Sequence, residues 1–248
     1  MARVGVQLVE VGNEEGYPVF HVQAVGRSGD RRPKNLIFAS PVKPDIRIID
    51  AVDNDVEIAS NAESVLVYDR AIGQDGLRWA DLQQWWKETR NSANDDEAKS
   101  QLYRRLLAGI PSESPPQQRL FRYYHEVFGS AVTRLPALLP EVWLHWDPKT
   151  VRERGARALL NHRMDFLLLL PHHQRIVVEV DGVHHYADED GQAKPGKYAA
   201  SMRADRLLKL SGYEVYRFGG AELTDGKARE SVSSFFHALY RRYGIPAD

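Results

Sequence analysis

The chain has 248 residues, 43% of them apolar and 27% charged, enough for the core of an ordinary globular protein of one or two domains. Its 33 basic and 34 acidic residues nearly cancel, which excludes a histone-like polyanion binder and leaves only local basic patches for such contacts. With no cysteine there is no disulfide, no thiolate zinc site and no cysteine nucleophile. No apolar run approaches the roughly 18 residues of a membrane span. The opening MARVGVQLVEVGNEEG carries acids too early for a signal peptide, so no membrane partner and a cytoplasmic location are expected.

The first 70 residues read as short strands. RVGVQLVEV alternates, YPVFHVQAV follows a turn, and NLIFAS, PDIRIIDAV, DVEIAS and SVLVYDR continue the pattern. DGLRWADLQQWWKETR has helical spacing, with Leu77, Leu82, Trp85 and Trp86 near one face. NSANDDEAKS is polar and reads as a loop, QLYRRLLAGI as a short helix ending at Gly109, and PSESPPQQ as a break. These features divide the chain into a β-rich domain over 1–95, a linker over 96–113 and a second domain over 114–248.

The second half has another rhythm. SPPQQRLFRYYHEVFGSAV has a serine cap, prolines in the first turn and helical spacing of Leu120, Tyr124 and Phe128. EVWLHWDP is a strand candidate and VRERGARALLNH a loop or short helix. The hairpin RMDFLLLLPHHQRIVVEVD comes next, then the amphipathic YAASMRADRLLKLSGY, the strand EVYRFGG and the helix ESVSSFFHALYRRYG. The order helix, strands, helix, strand, helix predicts an α/β (α+β) fold, with helices flanking a mixed sheet.

The hairpin carries acids where a buried strand should carry only aliphatics. Side chains alternate along a strand, so Glu179 and Asp181 share a face. The short turn brings Asp165, near the start of its strand, opposite the end of the next. Three carboxylates at one end of a hairpin repel each other, and burying them is costly. A divalent cation offsets that cost, and hard oxygen ligands suit magnesium or manganese. The alternative is that these acids cap turns or pair with Arg163, Arg175 or Arg217.

The ordered string Asp165 in RMDF, then Glu179-Val180-Asp181-Gly182 and His185 after a short turn, resembles the PD-(D/E)XK nuclease superfamily. More narrowly it is similar to the branch of very-short-patch-repair-like endonucleases. The similarity covers roughly residues 114 to 225, through Arg203, Asp205 and Arg206 on a helix to GYEVYRF and Glu222. It implies a restriction-endonuclease-like sheet and metal-dependent phosphodiester hydrolysis. Asp165 and Glu179 would hold Mg2+ or Mn2+ with the Val180 carbonyl, and His185 would shuttle a proton or contact phosphate. The lysine of the superfamily's ExK motif is absent, and Asp181 stands in its place. Relatives carry a glutamate on the first helix; Gln117 occupies the matching position here, and Glu126 is the alternative. Chains with this kind of C-terminal half resemble phage-defence or abortive-infection proteins.

Arg203, Arg206 and Lys209 on one helix, Arg217 on the next strand, and Arg152, Arg154 and Arg157 upstream form local basic clusters. They suit nucleic-acid phosphates, most readily those of DNA; a solvated helix face paired to acids is the alternative for 203–209. Histidines 145, 162, 172, 173, 184 and 185 invite a zinc reading, but His172 and His173 fall on the turn far from the acids. Trp79, Trp85, Trp86, Trp143 and Trp146 suit either base stacking or a core. The expectation is a magnesium-dependent endonuclease acting on DNA. A nucleic-acid-binding protein that no longer cuts and a toxin-like ribonuclease stay open, as do a homodimer and a protein partner for the N-terminal region.

Overall fold

A computed structural model describes residues 6–14, 17–24, 36–40, 45–50, 55–60, 64–143, 163–182 and 195–247. The chain divides into two compact units, Met1–Arg31 and Arg32–Asp248. In the first, β1 (Val6–Glu14) and β2 (Tyr17–Ala24) form an antiparallel pair with a register shift between Glu10 and Gly12.

The second unit is an α+β fold built on a six-stranded mixed sheet. Its strands are β3 (Leu36–Phe38), β6 (Leu66–Tyr68), β7 (Leu139–Trp143), β8 (Arg163–Leu169), β9 (Arg175–Asp181) and β10 (Glu214–Gly219), in the order β10-β9-β8-β7-β3-β6. A separate antiparallel pair joins β4 (Asp45–Asp50) to β5 (Asp55–Ser60). The α-helices among the described residues are α1 (Trp79–Arg90), α2 (Asp95–Ala108), α3 (Pro115–Phe128), α4 (Pro195–Leu210) and α5 (Ala228–Arg242).

The hairpin forms as its sequence dictates. FLLLL and IVVEV are nearly unbroken apolar runs, and successive residues of β8 and β9 are buried, so both faces of these strands are covered. The turn at Pro171–His173 holds His172 and His173 at positive φ, at the far end from the acids. β9 and β10 are parallel, as a pair joined by the crossover helix α4 must be. Helix α3 packs on α5, where Tyr124 and Tyr240 meet hydroxyl to hydroxyl at 2.6 Å, fully buried. Gly76 (φ +76) lets the chain pass against the end of β8; a Cβ there would stand 2.1 Å from the Leu169 oxygen.

Three expectations are corrected. The boundary expected near 96–113 falls inside the second unit, because β3 and β6, from the expected N-terminal domain, bond into the same sheet as β7 to β10. The polar run read as a loop begins α2: Asn94 caps it by accepting the Glu97 amide at 2.9 Å, and Asp95, Asp96 and Glu97 fill its first turn, where negative charge is favourable. The strand expected at EVWLHWDP begins two residues earlier, at Leu139, and is described as far as Trp143, with residues 144–150 outside the described ones. Trp79, Trp85 and Trp86 belong to the core, and their indoles donate to Gln83, Asp69 and Gln101. Among the described residues no helix is long and apolar enough to cross a membrane.

Candidate metal centre

The β8–β9 ladder runs from Leu169–Arg175 to Phe166–Val178 and ends there. One step on, Asp165 stands across from Glu179, and the Val180 amide donates to Asp165 Oδ2 at 2.8 Å. This bond fixes one carboxylate oxygen. Both acids are 5% exposed. Burial raises the Glu179 carboxyl well above the ordinary range; Asp165 adds to the rise, and Arg217 opposes it.

The row extends to both sides. On β10, Arg217 is the register partner of Glu179. On β7, Glu141 lies between Pro140, paired with Phe166, and Val142, paired with Met164, which sets it against Asp165. Glu141 is 0% exposed and has φ +50, a left-handed backbone inside a strand. Such a conformation costs about 1–3 kcal/mol outside glycine. Burial pushes its carboxyl up to about 8; Arg163 acts against the shift and Asp165 adds to it. Arg163 Nε lies 2.9 Å from Glu141 Oε2, off the alignment of a hydrogen bond. Sequence reading overlooked Glu141, although LLPEVW holds the same kind of anomaly as the hairpin: one acid within an apolar run.

Asp181 does not join Asp165 and Glu179 as expected. Its Oδ1 accepts from Arg217 Nη1 at 2.6 Å, and the same guanidinium donates to Asp205 from Nε and Nη2, at 2.6 Å for the Nη2 bond. Arg217, expected to contact phosphate, is engaged by two carboxylates, on β9 and α4, and ties those elements together. Arg203 and Arg206, further around α4, are exposed.

Gln117 is buried in the first turn of α3, and its Oε1 has no hydrogen-bond partner. That end of α3 is close to the end of β9, since a Cβ on Gly220 would lie 3.3 Å from the Asp181 carbonyl and 3.8 Å from Pro116 Cγ. Glu126 is exposed and nine residues farther along, roughly 13 Å up the helix axis, and is no substitute. Glu222 accepts the Gly219 amide at 2.8 Å and closes a local turn. His145, Trp146, Arg152, Arg154, Arg157, His162, His184 and His185 lie outside the described residues.

Among the described residues no three of His, Asp and Glu are placed to hold one ion together. Asp165 and Glu179 form a pair of hard donors, and the donor set suits an ion that keeps most of its waters, as magnesium does when one or two carboxylates hold it. Comparison of the chain with protein-family models, with curated proteins and with solved structures finds no match.

Proposed function

We propose that the chain is a metal-dependent nuclease that hydrolyses phosphodiester bonds, with DNA as the preferred substrate class. One observation carries this reading: two buried carboxylates, Asp165 and Glu179, face each other where the β8–β9 ladder ends. Desolvation and mutual repulsion both oppose that placement, and a divalent cation between the two acids would offset them. The mixed sheet with α4 crossing between β9 and β10 supports the reading as well, since a mixed sheet with helices is what the similarity implies.

In this reading Asp165 and Glu179 hold Mg2+ or Mn2+ with the Val180 carbonyl. The bound ion would polarise the phosphate and lower the pKa of a coordinated water. Val180 holds Asp165 in orientation through its amide. Asp181, tied to Arg217, keeps Arg217 and α4 against the sheet and leaves proton transfer to another group, for which His185 is the candidate. Arg203 and Arg206 offer exposed charge for the backbone of a bound strand.

A second reading, a nucleic-acid-binding protein that does not cut, is favoured by one feature: an arginine engages the acid at the ExK lysine position. Incubation of supercoiled plasmid, single-stranded DNA and RNA with Mg2+ or Mn2+ separates the two. The expected result is cleavage of DNA that falls to background in Asp165→Asn and in Glu179→Gln. Binding without cleavage in either metal selects the second reading; cleavage of RNA alone identifies a ribonuclease. Cleavage that survives both substitutions overturns the site.

A further inference from the structure

Glu141 and Arg163 form a pair that stability does not explain. A salt bridge to a side chain as exposed as Arg163, at 35%, returns little. Against that return stand a fully buried carboxylate and a left-handed backbone in the middle of β7. The other left-handed non-glycine residues among the described ones, Ala39, Asn91, His172 and His173, stand at element ends or in a turn. The strain at Glu141 lies directly beside Asp165.

Arg163 precedes Asp165 by two residues on β8, so the two share a face, with Arg163 roughly 7 Å farther toward the end of the strand. Glu141 makes its shortest approach at Nε, and neither of its carboxylate oxygens accepts a hydrogen bond from the guanidinium. The two terminal amino groups carry four of the five guanidinium N–H donors, in the planar fork that fits two oxygens of a phosphate. Arg217 makes the contrast: it donates to carboxylates on two elements. Among the described residues Arg163, beside Asp165 on β8, is ion-paired with one buried carboxylate, Glu141.

Resting on the nuclease reading above, we infer that Arg163 is the phosphate-binding residue of this site and that Glu141 is the positioning residue holding its guanidinium toward the substrate backbone. The subsite takes a nucleic-acid phosphate one step along the strand from the one at Asp165 and Glu179. Glu141 acts through Arg163 and touches no substrate.

The test measures binding of the full chain to a short DNA duplex in EDTA over a range of salt, so that neither cleavage nor metal enters the readout. Arg163→Met is expected to weaken binding roughly tenfold and to lower the slope of log K against log salt by about 1. Arg163→Lys should restore the slope but not the affinity, because a point charge lacks the fork. Glu141→Gln should weaken binding in the wild-type background and have no effect in an Arg163→Met background, as a residue acting through another must. Melting curves confirm folding of each variant, and Arg163→Lys, which keeps the ion pair, serves if Arg163→Met does not fold. Unchanged affinity and slope in folded Arg163→Met overturn the subsite while leaving plasmid cleavage intact. A wild type that binds no nucleic acid and cuts none overturns both this inference and the reading it rests on.

Discussion

His125 on α3 is enclosed by Trp79, Phe121, Tyr103 and Tyr124, with ring centroids 4.6 to 5.4 Å away. Burial, with Lys99 adding, pushes its imidazole down to about 3. Unfolding restores the ordinary value near 6.5, so the unfolded chain takes up a proton that the folded chain refuses. The contribution is whole above about pH 6.5 and is lost as pH falls toward 3. The melting temperature should therefore drop on that limb, and His125→Phe should flatten the drop; an equally steep limb in the variant would contradict the assignment. At this scale the sequence was partly legible. Asp165 and Glu179 stood out as charges in aliphatic strands. Glu141 did not, because EVWLHWDP placed it at a strand's start, where an acid is unremarkable, and the observed register puts it opposite Asp165. The fate of Arg217 was hidden for a related reason: Asp205 reaches it from a different element, a proximity that spacing along the chain does not encode.

The helices show where local pattern suffices and where it misleads. The apolar spacing of α1, α3, α4 and α5 marked each of them, and Gly212 and Gly244 follow the ends of α4 and α5 at positive φ. The start of α2 was lost because its first turn is acidic and exposed, the composition of both a loop and a well-capped helix start. Between elements, the hydroxyls of Tyr124 and Tyr240 connect α3 to α5. Tyr124 donates to the Pro136 carbonyl at 2.7 Å, so its oxygen accepts from Tyr240. Tyr240→Phe removes one buried hydrogen bond and should cost about 1 kcal/mol. Tyr124→Phe leaves two buried groups unsatisfied and should cost about 2–4 kcal/mol. Urea unfolding measures both, and equal costs would contradict the assigned direction of the bonds.

On the scale of the whole molecule, the second unit is assembled from distant parts of the chain. β3 and β6 are three residues each, and they extend the sheet beyond β7 from positions far earlier in the sequence. Non-local pairing of such short strands leaves no periodic trace, which is why the α+β class and the β8–β9 hairpin were legible and the domain boundary was not. The proposed cation belongs to this scale too, because an ion bound only by the folded chain would stabilise that chain against unfolding. That stabilisation is about 2.7 kcal/mol at a hundredfold excess over Kd, or roughly 5–10 °C for a protein of this size. The most direct test of the central claim is the melting temperature against Mn2+ concentration, in wild type and Glu179→Gln, with EDTA as the reference. The account predicts a saturable rise in wild type that EDTA reverses and that the variant lacks, and a higher metal-free melting temperature in the variant, which is relieved of a buried carboxylate. An equal rise in both proteins, or none in wild type, would contradict it.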